Sequence, residues 1–126
     1  MITDIRTIGY GLNLVISEYC NLSCPYCFQK KHPKKFMKFS TFKAILDNAD
    51  EYCNKEVIFF GGEPTLNRNF IKMAKYAKDN GWTTKITTNG ALIGSIFYWG
   101  KYFDSIVISI EPTIELTKKI RNIDNF

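Results

Sequence analysis

The chain has 126 residues, of which 45% are apolar, and a net charge of +5 at pH 7. This length fits one domain that buries a core without disulfides, and the apolar content excludes a disordered chain. The apolar runs are too short to span a bilayer, and Asp4 and Arg6 argue against a secretory signal. We therefore expect a single domain over residues 1–126 in the cytoplasm, where clustered cysteines indicate metal or redox chemistry.

Short apolar runs alternate with segments of helical periodicity. The runs predict four strands, at residues 12–17, 57–60, 83–87 and 105–110. Ser40 is a candidate N-cap for the first helix, and Asn67 or Asn69 for the second, which Gly81 ends. The first helix has an apolar face made of Phe42, Ile45, Leu46, Ala49, Tyr52 and Cys53. The second has the stripe Phe70, Met73, Ala74 and Ala77. Residues 91–99 and 113–123 predict the third and fourth helices, with Gly100 after the third and Pro112 before the fourth.

Four βα units with apolar strands predict an α/β fold in which helices cover a parallel sheet. In such sheets a ligand binds at the carboxyl ends of the strands. The four segments that follow the strands are 20–27, 61–64, 88–90 and 109–111. We therefore expect these four segments to meet at one rim of the sheet.

The segment after the first strand has three cysteines, Cys20, Cys24 and Cys27, with the spacing CxxxCxxC. Three thiolates can hold a cubane iron–sulfur cluster and leave one iron open to a small molecule. A structural zinc site is the alternative, with His32 or Cys53 as the fourth ligand. A plain ferredoxin is disfavoured because it needs four cysteines for each cluster.

Lysines follow the cysteine segment directly, at positions 30, 31, 34 and 35. They favour a solvated basic loop in a lysine-rich chain. A basic rim that attracts an anionic substrate, a nucleic acid or an acidic reductase is the alternative.

The cysteine spacing, with Tyr26 before the third cysteine, is followed by Gly61-Gly62-Glu63-Pro64, Thr87-Thr88-Asn89-Gly90 and Ser109-Ile110-Glu111. In this order the motifs resemble the radical S-adenosylmethionine (SAM) superfamily, from about residue 12 to residue 121. Their style is most similar to the peptide- and protein-modifying branch, which includes the anaerobic sulfatase maturases and other SPASM-type enzymes.

The resemblance implies that Cys20, Cys24 and Cys27 ligate a [4Fe-4S] cluster whose fourth iron binds SAM. Reductive cleavage of SAM then gives a 5′-deoxyadenosyl radical, which abstracts a hydrogen atom from the substrate. The protein places that radical beside one C–H bond and excludes competing reactions. A peptide or protein is the expected substrate, and flavodoxin or ferredoxin the expected electron donor.

The resemblance also implies the residues that bind SAM. Tyr26 borders the adenine, and Phe28 shields the cluster. Gly61 and Gly62 allow a close backbone approach and bind the methionyl ammonium, Glu63 assists, and Pro64 fixes the turn. The remaining candidates are Asn89, Ser109 and Arg121, with Glu111 in an open role. Arg121 suits the SAM carboxylate, and the competing interpretation is a solvated charge on the helix. For Asn89 the competing interpretation is a plain Asn-Gly turn.

The family's usual domain is a partial (β/α)6 barrel, and this chain supplies about four of its βα units. A fragment, a minimal enzyme and an assembly whose partner or second copy completes the barrel all fit this length. An unpaired fourth strand exposes an apolar edge, which predicts association or reduced stability. The alternatives in function are a small radical SAM activase, a nucleoside-modifying enzyme, and an incomplete iron–sulfur- or zinc-binding module. No membrane or nucleic-acid partner is expected.

Overall fold

The computed structural model describes residues 11–19, 34–49, 54–91, 93–110 and 112–121. Four parallel strands pair in the order β1-β2-β3-β4, which confirms the predicted α/β class. The strands are β1 (Leu12–Ser17), β2 (Glu56–Gly61), β3 (Thr83–Thr88) and β4 (Ser105–Ile108). The helices are α1 (Phe39–Ala49), α2 (Phe70–Asp79), α3 (Ile96–Trp99) and α4 (Ile114–Arg121). None of the described helices combines the length and the apolar character that a membrane crossing requires.

Two helices differ from the sequence prediction. Ser40 lies inside the first turn of α1, because the Phe42 amide already bonds the Lys38 carbonyl and the helix begins at Phe39. The predicted helix over 91–99 is split into a 3-10 turn at Ile93–Ser95, the short α3 and another 3-10 turn at Gly100–Tyr102. Glycine, with its low helix propensity, lies at positions 94 and 100 in these breaks.

One further boundary is shorter than predicted, and the predicted end of the fourth helix lies outside the described residues. β4 ends at Ile108 and not at residue 110, so Ser109 follows the strand. The described part of α4 ends at Arg121, and residues 122–126 lie outside the described chain. Tyr52 and Cys53, predicted on the first helix, also lie outside it.

The core lies on one face of the sheet, where α1 and α2 pack. Buried positions alternate along β2 and β3, as period-2 geometry requires. An aromatic cluster with ring-centroid distances of 5.2–6.4 Å connects the sheet to the helices and to α3. Its members are Phe42, Phe59, Phe70, Trp99 and Phe103. Trp82 is also buried, so both tryptophans are core residues.

The opposite face and the β4 edge are more open. Within the described ranges β4 pairs with β3 alone. Val107 of β4 is 53% exposed, and Ile110 and Ile114 beyond it are 61% and 64% exposed. These exposed apolar side chains agree with the expected apolar surface at the fourth strand, whereas the association or reduced stability inferred from it stays a prediction.

Asp104 connects β3, β4 and α2 at the amino ends of the strands. Its carboxylate accepts hydrogen bonds from Lys78 Nζ at 2.7 Å and from the Thr84 amide at 2.8 Å. The hydrogen bond from Lys78, with that from the Thr84 amide, lowers the pKa of Asp104 below its ordinary value.

A lowered folded-state pKa predicts an acid-dependent contribution to stability. The contribution is fully present above the unfolded-state pKa of about 3.9 and is lost as the pH falls through the lower folded-state pKa. We expect Asp104→Asn to lower the free energy of unfolding by roughly 0.5–1 kcal/mol at pH 6, a value discounted because the pair is partly exposed. Urea titrations of both proteins at pH 6 and near pH 2.5 test this. An equal difference at both values would contradict it.

Candidate active site at the carboxyl ends of the strands

The segments that follow the four strands meet at one rim, as the sequence predicts, in so far as they are described. The Gly62 amide donates to the Ser17 carbonyl at 2.7 Å, which joins the ends of β1 and β2. The Ser109 amide donates to the Thr88 carbonyl at 3.0 Å, which joins the ends of β3 and β4. The Glu63 side chain joins these two pairs.

Gly61 and Gly62 form a turn that lies directly on the backbone of residues 17–19. Gly61 has a φ of +136°, and a Cβ there would stand 2.0 Å from the Ser17 carbonyl oxygen. A Cβ on Gly62 would stand 2.6 Å from the Tyr19 carbonyl oxygen. Both glycines are therefore required by the approach of the protein's own backbone, immediately before the cysteine segment begins.

Glu63 is fully buried, and within the described part of the chain its carboxylate accepts four hydrogen bonds. Its Oε1 accepts from Thr65 Oγ1 at 2.9 Å, from the Thr65 amide at 3.3 Å and from Thr88 Oγ1 at 2.7 Å. Its Oε2 accepts from the Asn89 amide at 2.7 Å. Glu63 thus links the turn after β2 to the turn after β3. This link is strong because hydrogen bonds to a carboxylate are stronger than those between neutral groups.

The turn after β3 is built around Thr88, Asn89 and Gly90. Asn89 is 7% exposed, and its Oδ1 accepts from the Ala91 amide at 2.9 Å, a local side-chain turn. The Gly90 amide donates to Thr88 Oγ1 at 3.2 Å, and Gly90 has a φ of +80°. The plain Asn-Gly turn is present, and the backbone of Asn89 is in addition held by Glu63.

Pro64 begins a 3-10 turn, Pro64–Leu66, that leads from Glu63 to Asn67. Asn67 is 1% exposed, and its Nδ2 donates to the Ile16 carbonyl at 2.7 Å and to the Met37 carbonyl at 3.0 Å. Its Oδ1 accepts from the Asn69 amide at 2.9 Å. Asn69 is the N-cap of α2, so Asn67 acts before the helix and is not its cap.

Residues 16–19 and 34–37 run antiparallel to each other and form what we call the stem. The Glu18 amide donates to the Lys35 carbonyl and the Met37 amide to the Ile16 carbonyl, both at 2.9 Å. The segment that the stem encloses, residues 20–33, contains all three clustered cysteines and lies outside the described residues. The exposed Lys34 and Lys35 lie on the stem, as expected for a solvated basic segment.

Several of the predicted site residues are not among the residues that the structure describes. Outside the described residues lie Cys20, Cys24, Cys27, Tyr26, Phe28, His32, Cys53 and Glu111. Arg121 is the last described residue of α4, and its side chain is not described. Over the described ranges no three histidine, cysteine, aspartate or glutamate side chains are grouped as a metal site.

Three buried polar residues that the sequence does not single out hold the rim together. Ser17, Thr65 and Asn67 were not predicted to do so, yet each is at most 6% exposed. Ser17 Oγ donates to the Tyr19 carbonyl at 2.9 Å. The available signal was that these polar residues lie at the end of β1 or within six residues after β2, and polar groups that become buried there are typically hydrogen-bonded.

The donor set fits an iron–sulfur cluster, because three thiolates are soft ligands suited to iron in such clusters. The rim also fits a ligand with an ammonium group. Within the described residues the Gly62 carbonyl accepts no hydrogen bond, whereas the Gly62 and Glu63 amides and the Glu63 carboxylate are bound to protein partners.

Comparison with known proteins identifies the class that this fold and rim define. Residues 14–123 match the radical SAM superfamily, and the chain belongs to that superfamily. The relatives of this chain in that superfamily are enzymes.

Two relatives illustrate the range of the matches. A Methanocaldococcus jannaschii protein provisionally named a glycyl-radical enzyme activating enzyme is 38% identical over 93 residues, which cover 71% of this chain and 39% of that protein. An S-adenosylmethionine-dependent nucleotide dehydratase of Selenomonas ruminantium is 37% identical over 87 residues, which cover 68% of this chain and 32% of the dehydratase. The chain thus spans less than two fifths of these relatives.

Solved structures agree on the fold. Streptococcus suis SuiB bound to its precursor peptide SuiA superimposes with a TM-score of 0.78 at 23% identity, over 91% of this chain and 27% of SuiB. SuiB bound to S-adenosylmethionine gives a TM-score of 0.76 over 28% of that chain.

Proposed function

We propose that residues 1–126 form a single, partial radical SAM core domain in which Cys20, Cys24 and Cys27 ligate a [4Fe-4S] cluster. When bound, the cluster supplies an electron that cleaves SAM to a radical able to abstract hydrogen. The observation that carries this proposal is the stem, which fixes both ends of the cysteine segment against the Gly61–Pro64 turn. The superfamily match over residues 14–123, which includes all three cysteines, supports it.

Some of the rim residues contact SAM in this proposal, and others hold the rim in place. We propose that the Gly62 carbonyl accepts from the SAM ammonium, and that Asn89 and Ser109 face the nucleoside or methionyl part. Tyr26 borders the adenine and Arg121 pairs with the SAM carboxylate. Glu63, whose carboxylate is engaged by Thr65, Thr88 and Asn89, holds the turn in place, with Pro64 fixing its entry.

The proposed substrate is a peptide or protein, supported by the fold shared with SuiB, which was solved with a precursor peptide. We propose a cytoplasmic location, a flavodoxin or ferredoxin as electron donor, and a second copy or partner that covers the β4 edge. A nucleotide substrate or an activase role is the second candidate, favoured by identities of 37% and 38% to a nucleotide dehydratase and an activating-enzyme relative.

Anaerobic reconstitution tests the proposed chemistry. We expect about four iron and four sulfide per chain and dithionite-dependent formation of 5′-deoxyadenosine from SAM. Cys24→Ala is expected to abolish both cluster loading and cleavage, whereas Asn48→Ala, on the exposed face of α1, leaves both unchanged. One tetrahedral zinc per chain with no SAM cleavage would instead identify a zinc-binding module.

A further inference from the structure

Asn67 occupies a site that the catalytic proposal does not use. It is 1% exposed and lies 51 residues from Ile16 and 30 from Met37 in sequence, yet its one amide group contacts both carbonyls. Ile16 and Met37 are opposite residues of the stem. Asn67 therefore bridges the chain just before the cysteine segment and the chain just after it.

The same residue is connected to the rim through a short, hydrogen-bonded path. The backbone amide of Asn67 donates to the Pro64 carbonyl at 3.1 Å, which closes the 3-10 turn that begins after Glu63. Glu63 in turn contacts Thr88 and Asn89 of the β3 turn. The stem, the Gly61–Pro64 turn and the β3 turn are thereby joined into one buried polar network.

We propose that Asn67 is a positioning residue for the three-cysteine segment, holding the two ends of that segment in register with the rim that binds SAM. This inference rests on the proposed function, in which the three cysteines bind the cluster. Its physical basis is the entropy of loop closure: a 14-residue segment whose ends are already fixed (residues 20–33) brings three thiols together at a lower cost than one whose ends separate. Residues that orient ligands from outside the ligand set typically change metal affinity by 10–100-fold when replaced.

Asparagine is suited to this site by its donor count. The Nδ2 group has two N–H donors, one for each stem carbonyl, while Oδ1 accepts from the Asn69 amide. Alanine would remove the hydrogen bond from Nδ2 that the Met37 carbonyl accepts within the described part of the chain. The bond between the Met37 amide and the Ile16 carbonyl would remain, so the stem would loosen at its base and not separate.

The test compares Asn67→Ala with Thr84→Val. Thr84 is also fully buried, and its hydroxyl donates to the Tyr102 carbonyl at 2.6 Å, but it lies at the opposite, amino end of β3. Both substitutions remove buried side-chain donors, so both are expected to lower the thermal midpoint. After anaerobic reconstitution of the chain, iron release to an excess of chelator is followed by visible absorbance, and the cluster's reduction potential is measured with and without SAM.

We expect Asn67→Ala to release iron on the order of tenfold faster than the unsubstituted chain and to lose part of the SAM-induced change in potential. Thr84→Val is expected to keep both properties. Equal release rates for the two variants, at a similar fall in thermal midpoint, would overturn the inference. If Asn67→Ala does not yield folded protein, Asn67→Ser, which retains one donor, is measured in its place and is expected to release iron at an intermediate rate. Failure of the unsubstituted chain to load a cluster would overturn the proposed function itself, and is distinguished by that control.

Discussion

Gly61→Ala is expected to remove most of the chain's stability and with it the rim. The added Cβ would stand 2.0 Å from the Ser17 carbonyl oxygen and 3.2 Å from the Ser17 nitrogen, and both are backbone atoms that cannot rotate away. The φ of +136° adds a conformational penalty for any L side chain. We expect a loss of about 4 kcal/mol or more, against a total stability of roughly 5–15 kcal/mol for a domain.

Gly94→Ala is the matched control for this substitution. A Cβ at Gly94 would have no heavy atom within 4 Å, so its effect is expected to stay within about 0.5 kcal/mol. Urea denaturation followed by circular dichroism compares the two variants with the unsubstituted chain. If Gly61→Ala unfolded at the same urea concentration as Gly94→Ala, this would contradict the inference that β2 lies too close to the Ser17 backbone to admit a side chain.

The sequence was sufficient for the sheet because its signals are local. Each predicted strand is a short run with a glycine, asparagine or proline within two residues of at least one end, and the helices have their apolar positions at helical spacing. Parallel pairing followed from the alternation of strands and helices, and the rim followed from the pairing. The third helix is predicted as continuous because apolar residues such as Phe97 continue the apolar pattern, although Phe97 is 92% exposed. The end of β4 is mispredicted for the same reason, because apolar residues continue beyond the strand.

The partners within the rim were not predictable by the same means. Glu63 contacts Thr88 and Asn89, 25 and 26 residues away, and nothing local distinguishes this from a carboxylate directed at a ligand. The two glycines were interpreted through a ligand's approach, whereas the nearest atoms belong to residues 17–19. Both differences have one cause: the ends of the strands contact one another through small and polar residues, which the motif alone attributes to the cofactor.

Glu63→Gln is expected to have the second-largest effect, because every oxygen of this carboxylate already accepts a hydrogen bond. An amide NH2 at the Oε2 position would face the Asn89 amide, and at the Oε1 position it would face the Thr65 amide and two threonine hydroxyls. In either orientation a buried donor faces another donor, which costs about 2–3 kcal/mol. Glu56→Gln is the control, since Glu56 forms a partly exposed ion pair with Lys85 at 3.1 Å and is expected to contribute less than about 1 kcal/mol.

The readout separates this support role from direct contact with SAM. If Glu63 acts through the turns that it joins, Glu63→Gln lowers the free energy of unfolding in the absence of cluster and SAM, and Glu56→Gln does so much less. A normal stability without cofactors, combined with weaker SAM binding by the reconstituted protein, would instead show that the carboxylate acts on the cofactor. Hydrogen exchange of the Asn89 amide gives an independent measure, because the bond to Glu63 Oε2 protects it and the substitution should accelerate its exchange.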